Sequence, residues 1–167
     1  AHQLQQSHIT SYIAKLRNYS RSNKIFNHML TYMMKLEYGA QKGWHLHAVF
    51  FFDGSKVCKA SYKAMQIGNY WVNTIVGNNL AYYFNCHQRE YEQIGIGMVE
   101  YHESDKRRIL NDVVTYLCKS DEMTLSQFPL GQRTPRTFFR EQIKKCTNHN
   151  SGRPRLHLEI DEANHSQ

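Results

Sequence analysis

The stretch "KLEYGAQKGWHLHAVFFFDG" (35–54) decides the fold. Its second half, "WHLHAVFFF" (44–52), is almost wholly apolar apart from two histidines. The two-residue period of a β-strand places His45, His47, Val49 and Phe51 on one face and Leu46, Ala48, Phe50 and Phe52 on the other. Just upstream, "MLTYMMKLEY" (29–38) alternates Leu30, Tyr32, Met34 and Leu36 with other residues, which predicts a partner strand. The five residues between them, "GAQKG" (39–43), have the glycines and polarity of a hairpin turn. Centring that turn on Gln41 sets Glu37 directly across from His45, and Lys35 across from His47.

Directly opposed residues on one face of an antiparallel pair have Cβ atoms about 4.5–5.5 Å apart. Glu37, His45 and His47 are therefore predicted to form a compact cluster. Two neutral imidazoles and one carboxylate suit a divalent cation and leave further positions for water or a phosphate oxygen. The plainer alternative has one histidine hydrogen-bonded within the sheet and the other solvated. A slip of one residue in register would carry Glu37 to the opposite face.

With 167 residues, 41% of them hydrophobic, the chain is long enough for one domain with a real core. Lys and Arg outnumber Asp and Glu by 21 to 14, a net charge of +7 that favours a polyanionic partner. No run approaches the roughly 20 apolar residues that span a bilayer, and no signal-peptide pattern opens the sequence, so a soluble, intracellular protein is expected. Cys58, Cys86, Cys118 and Cys146 are widely spaced without a CxxC pair, and are expected to be reduced and structural.

Outside the hairpin, Ile9, Tyr12, Ile13 and Leu16 recur at helical spacing and predict a helix from Leu4 to about Tyr19. A second helix is expected over 60–76 despite Gly68, with Met65, Tyr70 or Trp71, and Ile75 at helical intervals. "IGIGMVEYH" (94–102) suggests a third strand. "SDKRRILNDVVTYLCK" (104–119) is the best-defined helix, with Ser104 or Asp105 as cap and a stripe of Ile109, Leu110, Val113, Val114 and Leu117. The basic tract after Pro129 and the polar stretch 147–154 lack a clear period, and "RLHLEI" (155–160) alternates as a candidate late strand. These elements describe an α+β fold: an antiparallel sheet with helices packed on one face and the histidine cluster on the open face.

The histidine–hydrophobic–histidine at 45–47, an acidic residue eight positions earlier, and "YLCK" (116–119) on a later helix together resemble the HUH endonucleases. These are replication initiators and relatives that nick single-stranded DNA on a ferredoxin- or RRM-like sheet. The wording of 35–57, with "GIGMVEY" and "TYLCKSD", is most similar to inovirus and prophage replication proteins of the YagK/YfjJ C-terminal-domain type, over roughly residues 25–121. The resemblance implies a catalytic domain over 1–146 and a polar C-terminal segment over 147–167. It implies Tyr116 and Lys119 as catalytic residues, and Glu37, His45 and His47 as ligands of Mg²⁺ or Mn²⁺. It further implies an enzyme of rolling-circle replication in the cytoplasm of a bacterial host, acting on single-stranded DNA at an origin hairpin through a 5′-phosphotyrosine.

Residue chemistry agrees with that assignment. A phenol of pKa about 10 needs a nearby cation to act as a nucleophile at neutral pH, and Lys119 comes one helical turn after Tyr116. Ser120, four residues after Tyr116, stands where a two-tyrosine enzyme would carry its second tyrosine. Basic side chains such as Lys63, Arg107 and Arg108 suit the DNA backbone. A transposase of the same superfamily and a non-catalytic DNA-binding protein on the same fold are the alternatives. The family fold ordinarily begins with a strand before its first helix. This chain opens at Ala1, directly ahead of that helix, so either an upstream strand was removed with a preceding segment or another segment such as 155–160 fills its place.

Overall fold

In the computed structural model, which describes residues 6–77, 80–86, 93–119, 122–128 and 136–143, the hairpin forms the centre of the molecule. Strand β1 (Met29–Gly39) pairs antiparallel with β2 (Gly43–Phe52), and Glu37 faces His45 while Lys35 faces His47. This is the register expected from a turn centred on Gln41. Gly43 has a φ of 67°, a left-handed conformation that a glycine adopts without the Cβ penalty and that closes the turn. The only register irregularity of the pair lies between Met29 and Thr31, at the far end from the histidines.

A third strand, β3 (Phe138–Arg140), pairs with the other edge of β1, giving the order β2-β1-β3. The pairing brings Met33, Met34 and Lys35 opposite Arg140, Phe139 and Phe138. β3 lies within the basic tract that sequence periodicity left without an element. Three residues are too few to display a two-residue period.

The segment 94–102, expected as a strand, is not one. Gly97 has a φ of 111°, which breaks the extended conformation, and a Cβ on Gly95 would meet the Ile109 carbonyl oxygen and Val113 Cγ2, each at 3.0 Å. The glycines let this segment pass closely over helix α3 (Ser104–Cys118) instead of extending along the sheet.

Helix α1 (Gln6–Tyr19) and helix α2 (Ala60–Tyr70), which runs on into a π-helical turn (Trp71–Val76), cover one face of the hairpin. Ile9, Ile13 and Leu16 of α1 join Tyr32, Met34 and Leu36 of β1, Ile67 of α2 and Ile75 of the π turn in a single buried cluster, with Leu46, Phe50 and Phe52 of β2 packed against it. All the β1 and β2 members just named occupy even-numbered positions, as strand alternation requires. Lys15 ties α1 to the π turn by donating to the carbonyls of Thr74 and Ile75 at 2.9 and 3.2 Å, where helical carbonyls lack partners within the helix.

α3 buries only Leu117 of its predicted stripe, the other four apolar members being half-buried. Its N-cap is Glu103, without a side-chain cap bond, so neither Ser104 nor Asp105 caps it. After α3 a short helix α4 (Glu122–Leu125) docks on the end of β1, where the Tyr38 amide donates to Thr124 Oγ1 at 2.8 Å. Cys58, Cys86 and Cys118 are free and exposed rather than packed in the core; Cys146 and the candidate strand 155–160 lie outside the described residues. Among the described residues no helix is long and apolar enough to cross a membrane.

Candidate metal centre and tyrosine

The odd-numbered face of the hairpin carries the polar side chains. Glu37 Oε2 lies 3.0 Å from His47 Nε2 and 3.6 Å from His45 Nε2. The two imidazole rings stand edge to face with centroids 5.0 Å apart. One donor atom from each of Glu37, His45 and His47 falls within 4.8 Å of the others, so the three can hold a divalent cation.

The protonation states favour that use. His45 Nδ1 lies 3.1 Å from the Gly43 carbonyl, an acceptor, so the proton belongs on Nδ1 and the Nε2 lone pair faces the cluster. Burial pushes the His47 pKa below its ordinary 6.5. The Glu37 charge and hydrogen bond pull it up, and His45 and Lys42 push it further down. At neutral pH the His47 ring is therefore an uncharged donor.

Glu37 Oε1 faces the other way, to Lys35 Nζ at 3.2 Å. Lys35 is only 6% exposed, unusual for a lysine, and its ammonium also donates to the Lys119 carbonyl. Strand alternation put Lys35 beside the cluster, but a lysine on a strand ordinarily extends to water, and nothing in the sequence marks this one as held inside.

Tyr116 is brought to the site by the last turn of α3. Its ring stands edge-on to His47 with centroids 6.1 Å apart, and the residue is 54% exposed. Lys119 is not on the helix face below Tyr116; it is the C-cap, with extended backbone, and its amide donates to the Tyr116 carbonyl at 3.2 Å. Tyr116 and Lys119 nevertheless line one open cavity of about 760 Å³ together with Lys35, Glu37 and Glu122. The five residues singled out from the sequence are thus brought together, and Lys35 is the addition.

With this geometry in view, the chain matches the family model of the replication-associated protein ORF2 over residues 1–121. The chain belongs to that family. The matched residues include Lys35, Glu37, both histidines, Tyr116 and Lys119, and end before α4 and β3. Membership places the chain among proteins of replication and so implies work on DNA, in keeping with its net charge of +7. The chain matches no curated protein and no solved structure.

Proposed function

We propose that this chain of the replication-associated ORF2 family is a metal-dependent, single-tyrosine HUH endonuclease that nicks and rejoins single-stranded DNA to start rolling-circle replication of a phage or prophage. The observation that carries the reading is the ring of Tyr116 set against His47 of the Glu37–His45–His47 cluster. A freely packed tyrosine has no reason to meet the one three-donor group found among the described residues. Residues 1–146 would form the catalytic domain, of the YagK/YfjJ type, working in the host cytoplasm.

The donors fit a cation: one carboxylate oxygen and two neutral imidazole nitrogens, with one tautomer set by the Gly43 carbonyl. A divalent ion held there, Mg²⁺ or Mn²⁺, would supply Lewis-acid polarisation of a phosphate oxygen. Tyr116 Oη gives up its proton to solvent and attacks the scissile phosphorus. The Tyr–O–P bond forms as the P–O3′ bond breaks, and the leaving O3′ takes a proton to become a free 3′-hydroxyl. Lys119, on the same cavity wall as Tyr116, offsets phosphate charge there. Joining is the reverse, with a 3′-hydroxyl attacking the 5′-phosphotyrosine.

The test is incubation of the chain with fluorescent single-stranded DNA libraries, hairpins included, and Mn²⁺ or Mg²⁺, followed by denaturing gels and mass spectrometry. The expected result is a covalent adduct mapped to Tyr116, and lost with chelator, with Tyr116→Phe and with His45→Ala. Binding of DNA without any adduct would leave a DNA-binding protein and overturn the proposal.

A further inference from the structure

We infer that Lys35 is the positioning residue of this site, one ammonium that ties the carboxylate of the metal cluster to the chain segment carrying the tyrosine. The inference rests on the reading of Tyr116 as nucleophile, and its structural half stands on the contacts of Lys35 alone.

An ammonium removed from water is costly unless it is paired and hydrogen-bonded. Lysines usually escape that cost by threading their methylenes along the surface with the charge in solvent. The Lys35 side chain is instead 7% exposed, and its Nζ is held between Glu37 Oε1 at 3.2 Å and the carbonyl of Lys119. Lys119 caps the C-terminus of α3, where unpaired carbonyls carry the negative end of the helix dipole and attract a cation. Through the Lys119 amide, which donates to the Tyr116 carbonyl at 3.2 Å, that anchor is one hydrogen bond from the backbone of Tyr116.

The two oxygens of Glu37 divide the work. Oε1 is taken by Lys35, so Oε2 is the oxygen presented to the imidazoles, at 3.0 Å from His47 and 3.6 Å from His45. A neutral side chain of the same length could fill the space but could not hold a carboxylate and a helix-end carbonyl at once. The shared ammonium therefore fixes the distance between cluster and tyrosine from the protein side, before any DNA arrives. The segment has further anchors that do not involve Lys35: the Tyr38 amide on Thr124 Oγ1 at 2.8 Å, and Trp44 packed on Phe128 with ring centroids 6.1 Å apart. Removing the ammonium should consequently loosen the Tyr116 turn without undocking α4.

The experiment compares the full chain with Lys35→Met and Lys35→Arg in three readouts. Hydrogen exchange of the amides at 117–119 is measured without metal or DNA. Mn²⁺ affinity is titrated by paramagnetic resonance without DNA. Single-turnover adduct formation is followed on the DNA that the parent chain cleaves. Lys35→Met is expected to exchange faster at 117–119 and to bind Mn²⁺ at least as tightly, because a neighbouring positive charge has gone. It should hold DNA equally well and form adduct about 100-fold more slowly. Lys35→Arg, which keeps the charge and the donors, should recover most of the rate.

A Lys35→Met rate within about threefold of the parent, with unchanged exchange, overturns the inference. So does a loss of Mn²⁺ affinity that parallels the loss of rate, which would make Lys35 a support of the ligands only. Should the parent form no adduct on any DNA, the proposed function fails, and the exchange measurement alone decides the tether: faster supports it and unchanged overturns it. Lys35→Gln serves the same readouts if the methionine variant does not fold.

Discussion

The two faces of the β1–β2 hairpin are built from the same two strands and do opposite things. The even face, with Tyr32, Met34, Leu36, Leu46 and Phe50, is closed under α1 and α2. The odd face, with Lys35, Glu37, His45 and His47, keeps partial access to solvent and gathers charge around the C-terminal end of α3. Strand alternation alone separates them. The contrast shows that stability and chemistry can share a strand when each takes every second residue, because a change on one face leaves the other face's contacts in place.

The sharpest way to break that separation is to truncate the core beneath the site. Leu36 is 0% exposed, and Leu36→Ala should cost about 2–5 kcal/mol in urea unfolding. If the faces are independent, the folded fraction of this variant binds Mn²⁺ with the parent's affinity. A parallel loss of affinity would show that the core sets the ligand geometry.

A smaller effect is expected from pH. Burial holds the folded His47 pKa below 6.5, so between the two values the unfolded chain binds more protons than the folded one. Metal-free protein should have the full contribution of this group above pH 6.5 and lose it as pH falls through the lowered value. Unfolding measured from pH 8 to 5 should show that loss flattened in His47→Ala, while Leu36→Ala keeps it. The smallest effect belongs to Asp53, immediately beyond β2, whose carboxylate accepts from the Ser55 hydroxyl at 2.7 Å and the Ser55 amide at 2.9 Å. These bonds hold its pKa below the usual 3.8. Its stabilisation is present above that value and lost as pH falls through the lowered one. Carboxyl titration by NMR should show the pKa rising in Ser55→Ala with Mn²⁺ binding unaltered.

The hairpin and its register were legible because period-2 alternation, two glycines and a central Gln41 all agree. The tyrosine helix was legible from its 3.6-residue stripe, although that stripe is mostly half-buried. Other features were hidden for physical reasons. β3 is shorter than a readable period, and the apolar alternation of 94–102 conceals glycines used for close packing on α3. Lys35 was hidden because burial of a charge depends on partners distant in sequence: its second acceptor, the Lys119 carbonyl, is a backbone atom that no side-chain pattern announces. The cysteines misled in the other direction, since residue type predicts burial only on average and three of them lie at the surface.

The closeness of Glu37, His45 and His47 along the chain bears on the order of folding. All three lie on one hairpin with a short turn, so a single local event, costing little loop-closure entropy, assembles the donor set. Tyr116 reaches His47 only when a distant stretch of chain has docked, a contact of high sequence separation that forms later in such landscapes. A nascent chain would thus acquire its cation-binding group before its nucleophile, and would be able to take up metal while still unable to cut DNA.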